Sequence, residues 1–175
     1  MLHAGWVRQA RDGDEEAFAA LVRTHQDRLY AIALRLTGDP HDAQDVVQDS
    51  LLRAWQGLPS FHGDARFSTW VTRIVINQCH NLRRATRPVQ PLEGEEPASA
   101  APGADTLVVA GHRWKATEAA ILSLPFDQRT ALVLHTFAGY THAETGRILG
   151  ITEAAAKVRV HRARKALVAA MQDWR

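Results

Sequence analysis

Residues 139–165 have the sequence GYTHAETGRILGITEAAAKVRVHRARK, which contains the clearest structural signals in the C-terminal part of the chain. Thr141 is followed three residues later by Glu144, the spacing of a capping box, which predicts a helix beginning after Thr141. Gly150 ends this short helix, and Thr152 is placed to cap a second one. Two short helices joined by a turn that contains glycine are typical of a helix-turn-helix.

The second helix of this motif has an apolar side and a basic side. At about 100° per residue, one arc contains the apolar residues Ala156, Val160, Ala163, Ala166 and Leu167. The opposite side contains Lys157, His161, Arg162, Arg164 and Lys165, with Val158 off the apolar arc. Such a helix can enter a major groove and contact phosphates or guanine edges. A solvated surface helix has the same pattern, but the capped turn and the local basic excess favour DNA binding.

The charge of the chain is unevenly distributed. Its net charge is only +2, yet residues 111–175 contain ten Lys and Arg against five Asp and Glu. Residues 91–110 contain no Lys or Arg and four acidic residues, Glu93, Glu95, Glu96 and Asp105. A basic C-terminal module indicates a polyanionic partner.

A segment rich in Pro, Gly, Ala, Ser and Glu divides the chain into two blocks. Residues 88–103, PVQPLEGEEPASAAPG, have no apolar period and are typical of a flexible linker. We therefore expect a first domain over residues 1–87, an acidic linker over 88–110 and a second domain over 111–175.

The first block has strong helical periodicity and almost no strand signal. Asp14 is placed to cap a helix that Gly38 ends, and Asp39-Pro40 to begin the next. Three apolar stripes follow helical spacing: Phe18, Leu21, Val22, Leu29, Ile32, Ala33 and Leu36; Ala43, Val46, Val47, Leu51, Ala54, Trp55 and Leu58; Phe67, Trp70, Val71, Ile74, Val75 and Leu82. In the second block, Pro125 is expected to open a helix carrying Ala131, Leu132, Leu134 and Phe137. The predicted fold is all-α, with an N-terminal helical bundle and a C-terminal helix-turn-helix.

Several classes of protein are not supported by the sequence. There is no HExxH, CxxC or clustered carboxylate–histidine pattern despite nine histidines, and no Gly-rich phosphate loop or G-x-S-x-G. We expect no enzyme activity, metal, cofactor or small-molecule substrate. The single cysteine, Cys79, cannot form an internal disulfide, and no apolar run approaches the roughly 20 residues of a membrane span. We therefore expect a cytoplasmic protein.

Residues in both blocks resemble one family. The first block contributes Asp42-Ala43-Gln44-Asp45-Val46-Val47-Gln48-Asp49, Ala54-Trp55, Phe61-His62-Gly63-Asp64, Phe67-Ser68-Thr69-Trp70, Arg73-Ile74 and Asn77. The second contributes Leu124-Pro125, Arg129, Gly139-Tyr140, Glu144, Leu149-Gly150, Lys157-Val158-Arg159 and Arg162-Ala163-Arg164. Together they resemble the two conserved domains of the extracytoplasmic function sigma factors, in the family's order and spacing.

The resemblance implies two functions for the first domain. The family docks on the clamp helices of the largest subunit of core RNA polymerase, here through Asp45, Gln48, Asp49 and Leu52. It also melts the minus-ten promoter element and holds a flipped base, which implies a DNA surface of Phe67, Ser68, Thr69, Trp70, Arg73, Asn77 and His80. Asn77 matches the base-reading position, with Phe67, Ser68 and Thr69 in the neighbouring loop. Thr69, Arg73, Asn77, His80 and Arg84 recur on one polar helix face. Trp70 fits either the core or the DNA.

For the second domain, the resemblance implies binding of the minus-thirty-five element and of the flap of the second-largest polymerase subunit. The matching positions are Lys157, Val158, Arg159, His161 and Arg162. Many family members have Gly-Thr before the basic run and a Ser inside it, where this chain has Ala154-Ala155 and Val158. Val158 can instead contact a thymine methyl group, so the sequence preference cannot be carried over.

Two further partners follow from the resemblance. The family's linker threads a basic channel of the polymerase, although a plain tether fits the composition equally well. Members are usually inhibited by an anti-sigma factor, often membrane-anchored, which would sequester the protein at the membrane. The alternative is a stand-alone helix-turn-helix regulator, whose first block would be a dimerisation or sensing domain.

Overall fold

The computed structural model describes residues 2–63, 65–86 and 109–172, and the chain divides into two compact units, Met1–Thr86 and Arg87–Arg175. The first unit contains α1 (Leu2–Arg11), α2 (Glu15–Thr37), α3 (Pro40–Gly57), a 3-10 turn (Leu58–Ser60) and α4 (Phe67–Thr86). The described residues contain no β-strand. The prediction of an all-α fold is confirmed.

The ends of α2 and α3 follow from local sequence. Asp14 caps α2 by accepting a hydrogen bond from the backbone N–H of Ala17. Gly38 ends α2 in the left-handed region at φ 79°, which a residue with a Cβ adopts only at a cost. Asp39 then caps α3 by accepting from the N–H groups of His41 and Asp42. These bonds stabilise the charged form of the Asp39 carboxylate and lower its pKa.

The core of the first unit lies where α2, α3 and α4 pack together. Its fully buried side chains include Leu21, Leu29, Ile32, Leu58, Val71 and Val75. Burying each large aliphatic side chain contributes about 1.5–3 kcal/mol, so these helices are held together chiefly by their apolar stripes. The stripes were predicted from the sequence, and their central positions are buried.

The second unit is built around the helix-turn-helix. It contains α5 (Val109–Ser123), α6 (Phe126–Leu132), a π-helical turn (Val133–Phe137), α7 (His142–Leu149) and α8 (Glu153–Gln172). α5, α6 and α7 all pack against α8. Arg129 joins α6 to the end of α5, because its Nη2 donates hydrogen bonds to the carbonyl oxygens of Leu122 and Leu124. These carbonyls otherwise lack an intrahelical donor.

The π-helical turn changes which residues of this segment reach the core. The N–H of Ala138 donates to the carbonyl oxygen of Val133, five residues earlier. The wider turn shifts the side chains that follow it relative to an α-helix. Leu134 is fully buried, but Phe137 is 42% exposed. Phe137 thus lies in the helical segment that was predicted to follow Pro125, with its side chain exposed.

Two helices were not predicted. α1 is short and α5 begins at Val109, inside the expected linker of residues 88–110. The rest of that linker, including its four acidic residues, lies outside the described residues. None of the helices in the described ranges is both long and apolar enough to span a membrane.

Candidate nucleic-acid interface

α3 presents an acidic exposed face with one large apolar side chain. Asp45, Gln48 and Asp49 are exposed, and Leu52 is 57% exposed. These residues are three or four positions apart and so share one side of the helix. On the other side, Ala43, Val46, Val47 and Ala54 are buried. The four expected docking residues therefore lie together on the solvent side of α3.

α4 presents a polar and basic face along its length. Arg73, Asn77, His80 and Arg84 are three, four or seven positions apart and therefore share one side of the helix. Arg73, Asn77 and Arg84 are exposed, and His80 is half-buried. Thr69 does not belong to this face, because only 6% of it is exposed. It lies seven residues before the buried Ile76, and residues seven apart are about 20° apart on a helix. The expected exposure of Thr69 is therefore wrong.

Phe67, Ser68 and Thr69 lie in the first turn of α4 and not in a loop. The loop itself is the segment before it, and Phe67 and Ser68 face a cavity of about 650 Å³ beside that segment. The lining residues come from α1, α2, the segment before α4 and its first turn: Ala4, Val7, Arg8, Arg11, His25, Phe61, Gly63, Ala65, Arg66, Phe67 and Ser68. The cavity combines apolar walls with three arginines.

An aromatic cluster supports one side of this cavity. The ring centroids of Phe61 and Trp70 are 4.9 Å apart, and those of Phe67 and Trp70 are 5.8 Å apart. His25, which lies on α2, contacts Phe67, and their ring centroids are 5.6 Å apart. Phe61 and Phe67 are more than nine-tenths buried, so they form a wall and offer little ring face to a ligand. Trp70 is half-buried in the same cluster.

The turn between α7 and α8 has the geometry of a helix-turn-helix. Thr141 and Glu144 form the complete capping box, and Gly150 ends α7 at φ 68°. Thr152 accepts a hydrogen bond from the N–H of Ala155 at the start of α8. The predicted caps at Thr141 and Thr152 and the stop at Gly150 are confirmed.

α8 is anchored by its small apolar side and exposes most of its basic side. Ala156, Val160 and Ala163 are buried, while Ala166 is exposed and lies about 120° around the helix from Val160. The prediction that Ala166 belongs to the buried arc is wrong. The exposed side contains Lys157, Val158, His161, Arg162, Arg164 and Lys165.

Arg159 differs from the other cations of α8. It is only half-exposed, and its Nη2 lies 3.2 Å from Oδ2 of Asp127 on α6. The ion pair ties α8 to α6 at the edge of the exposed basic side. An exposed pair of this kind contributes at most about 1 kcal/mol. Arg159 is therefore placed to orient α8 within the unit.

Two histidines of the second unit are stacked. The rings of His135 and His142 are 3.9 Å apart and 16° from parallel, and Nδ1 of His135 lies 2.8 Å from the carbonyl oxygen of Tyr140. Desolvation lowers the pKa of His142, and the positive charges of His135, Lys157 and Arg164 lower it further, against an opposing effect of Glu153. The lowered pKa favours the neutral imidazole form of His142 next to the basic side of α8.

The described residues show no arrangement that supports metal or thiol chemistry. Within residues 2–63, 65–86 and 109–172, no group of three His, Cys, Asp or Glu side chains could hold a metal ion. Burial raises the pKa of the Cys79 thiol to about 12, which keeps it protonated near neutral pH.

Comparison with known proteins identifies the family. The model of sigma-70 region 2 matches residues 21–88, and that of sigma-70 region 4 matches residues 115–167. Over 157 residues the chain is 39% identical to the ECF RNA polymerase sigma factor SigM of Mycobacterium tuberculosis, covering 89% of this chain and 77% of SigM. The chain belongs to the extracytoplasmic function sigma factors. It is also 31% identical to SigW of Bacillus subtilis, covering 95% of each chain.

Solved structures agree with this assignment. CnrH, in complex with the cytosolic domain of CnrY, has a TM-score of 0.78 and 27% identity to this sigma factor, over 99% of both chains. The sigma factor RpoE of Bartonella quintana, in complex with the anti-sigma factor NepR, has a TM-score of 0.68 and 25% identity, over 89% of this chain and 96% of that one. The family predicted from the sequence is confirmed.

The structure also presents residues that sequence reasoning missed. Arg8, Arg11, His25, Phe61 and Arg66 line the cavity, but none was a candidate site residue. The signal for α1 was available, because Ala10 is buried in a short amphipathic segment that packs on α2. The cavity itself depends on contacts between distant segments, which no local pattern encodes.

Proposed function

We propose that this sigma factor binds core RNA polymerase and directs it to promoters, with the first unit acting on minus-ten DNA and the second on minus-thirty-five DNA. The observation that carries the proposal is the pair of exposed basic faces, on α4 in one unit and on α8 in the other. Two small binding modules on one chain gain affinity when both sites lie on one DNA molecule.

The exposed face of α3 is the proposed docking surface for the clamp helices of the largest polymerase subunit. Leu52 is more than half exposed at the end of a face that contains Asp45 and Asp49, and burying such a side chain in an interface stabilises the interface by about 1.5–3 kcal/mol. Asp45 and Asp49 would add charge complementarity to a basic partner, which acts mainly on the association rate.

The minus-ten site is proposed to have two parts. Asn77 offers both a donor and acceptors to a base edge, and Arg73, His80 and Arg84 flank it on the same face of α4. A flipped base would occupy the cavity beside Phe67 and Ser68. Asn77 lies nine residues beyond Ser68, about 14 Å along the helix, so the two parts would contact different bases. Phe67, Thr69 and Trp70 would support the cavity from within the core.

The minus-thirty-five site is proposed on the exposed side of α8. Lys157, His161 and Arg162 would contact phosphates or base edges, and Val158, which is 47% exposed, could contact a thymine methyl group. Arg159 would act by holding α8 on α6 through Asp127. An anti-sigma factor is a further proposed partner, supported by the relative solved with one. We also propose that this sigma factor acts in the cytoplasm.

A reconstitution experiment tests the proposal. The purified chain is mixed with bacterial core polymerase, and binding and transcription start sites on a promoter library are measured. We expect a stable complex and discrete start sites, with Leu52→Asn weakening core binding by about 10-fold, or roughly 1.4 kcal/mol. Gln26→Ala, which changes an exposed residue of α2, should bind as the wild type does. A chain that ignores core polymerase but binds a duplex operator tightly would be a stand-alone regulator.

A further inference from the structure

α1 presents one face to the cavity that lies beside the first turn of α4. Ala4, Val7, Arg8 and Arg11 line the cavity, and their spacing of three, four and seven residues places them on one side of the helix. Ala4 and Val7 form an apolar wall. The exposed side chains of Arg8 and Arg11 bring two positive charges to the same cavity.

No family match assigns a role to α1. The match to sigma-70 region 2 begins at residue 21, whereas α1 ends at Arg11. α1 nevertheless contributes two of the three arginines that line the cavity, the third being Arg66. α1 packs against α2, so these arginines are held on a helix anchored to the first unit.

The charge of the cavity selects an anionic ligand. Three arginines line it, and neither Arg8 nor Arg11 forms an ion pair with a carboxylate of the described residues. Guanidinium groups bind phosphate in a bidentate geometry, which makes arginine a common phosphate ligand. The volume of about 650 Å³ lies within the roughly 300–1,000 Å³ of sites that enclose small organic ligands. A nucleotide matches both the volume and the charge.

We propose that Arg8 and Arg11 of α1 bind the phosphates on either side of the flipped nucleotide, so that α1 is part of the promoter-strand site. This inference rests on the proposed function, in which the cavity receives that base. Arg66 and the half-buried ring of His25 contact the same nucleotide from the other walls. α1 then holds the strand while the base occupies the apolar part of the cavity. These contacts of α1 stabilise the melted promoter.

The test measures how holoenzyme binds single-stranded DNA as salt is varied. The probe is the fluorescein-labelled non-template strand of a promoter that wild-type holoenzyme selects from a randomised library. Each phosphate neutralised on a single strand contributes about 0.7 to the slope of log affinity against log salt. Arg8→Ala/Arg11→Ala should therefore reduce the slope by about 1.4 and the affinity at 0.1 M salt by roughly 25-fold. Arg8→Lys/Arg11→Lys should recover most of the slope, because lysine keeps the charge.

Two control variants separate a specific contact from a general loss of charge. Gln9→Ala changes an exposed residue of α1 that does not line the cavity. Arg23→Ala removes one positive charge from α2, where the side chain pairs with Glu16 at 2.9 Å. Both should keep the wild-type slope. A double variant with the wild-type slope, or with no more loss than Arg23→Ala, would overturn the proposal.

Two further arms distinguish the possible failures. If wild-type holoenzyme neither selects a promoter nor binds the strand, the proposed function fails and this inference fails with it. If the wild type binds and the double variant binds equally well, only the role of α1 is refuted. Displacement of the strand by micromolar free nucleoside monophosphate would assign the cavity to a free nucleotide and would also overturn the proposal.

Discussion

A Cβ atom on Gly146 would lie 2.8 Å from the carbonyl oxygen of Ile151, closer than Cβ atoms approach backbone oxygens. The N–H of Ile151 donates to the carbonyl oxygen of Gly146, so the backbone of the turn lies directly against α7. Gly146 is buried in the interior of α7, where glycine costs about 1 kcal/mol relative to alanine. The close approach of the turn between α7 and α8 explains why glycine is needed here.

Gly146→Ala is therefore expected to destabilise the helix-turn-helix by roughly 1–3 kcal/mol, because the turn must move away from α7. Faster hydrogen exchange of the α7 and α8 amides would report this loss. Gly5→Ala is the control, since a Cβ at Gly5 meets nothing within 4 Å and alanine favours the helix. Unchanged exchange in Gly146→Ala would show that the turn has room for a side chain.

The stacked pair of His135 and His142 makes the stability of the second unit depend on pH. The folded unit lowers the pKa of His142 below 6.5, so between the folded value and 6.5 the unfolded chain binds more protons. Stability therefore rises with pH through this window and is lost as the pH falls below about 6.5.

We expect urea unfolding of the second unit to show this pH dependence between about pH 5 and pH 7.5, and His142→Gln to flatten it. His161→Gln, which removes an exposed histidine from the same unit, is the control variant. An equally steep dependence in His142→Gln would assign the effect to another group.

Asn77→Ala is expected to impair open-complex formation while leaving binding to core polymerase intact. The side chain is exposed on α4, whereas the proposed docking surface is on α3. Losing its base contacts should reduce the preference for the correct base at one promoter position by about 1–3 kcal/mol. Permanganate reactivity of unpaired thymines measures melting, with Gln78→Ala, about 100° around the helix, as control. Normal melting in Asn77→Ala would remove this residue from the site.

Arg162→Ala is expected to weaken contact with the upstream element. Arg162 is exposed on the basic side of α8, and losing one phosphate contact on duplex DNA lowers the salt slope by about 0.9. Footprinting of the upstream element by holoenzyme at several salt concentrations measures both effects. Arg23→Ala, which removes one positive charge from the first unit, should keep the wild-type footprint. An unchanged footprint in Arg162→Ala would count against the proposed minus-thirty-five site on α8.

Local signals predicted most of the fold. The caps at Asp14, Asp39 and Thr141 and the glycine stops at Gly38 and Gly150 follow from hydrogen bonding and backbone conformation within a few residues. Such signals need no knowledge of distant contacts. They located α2, α3, α7 and the beginning of α8, and with them the exposed faces that carry most of the candidate residues.

The remaining features depend on packing or on small differences in angle. Thr69 was assigned to an exposed face because it lies near Arg73 on the helix. However, α4 packs so that Thr69 and Ile76, which lie on the same side of the helix, are both buried. Phe137 is exposed at the end of the π-helical turn, which has no clear sequence signature. The cavity needs α1, α2 and the first turn of α4 together, so Arg8 and Arg11 could not be predicted from spacing.

A footprint of holoenzyme and of the free chain on one selected promoter tests whether both units engage the same DNA molecule. If the two units act on separate elements of one promoter, holoenzyme should protect the upstream element and expose reactive thymines at the downstream element on the same molecule. The free chain should do neither at the same concentration, since each unit alone offers few phosphate contacts. Upstream protection by the free chain, with no melting by holoenzyme, would show that the protein binds duplex DNA by itself and does not open promoters with the polymerase.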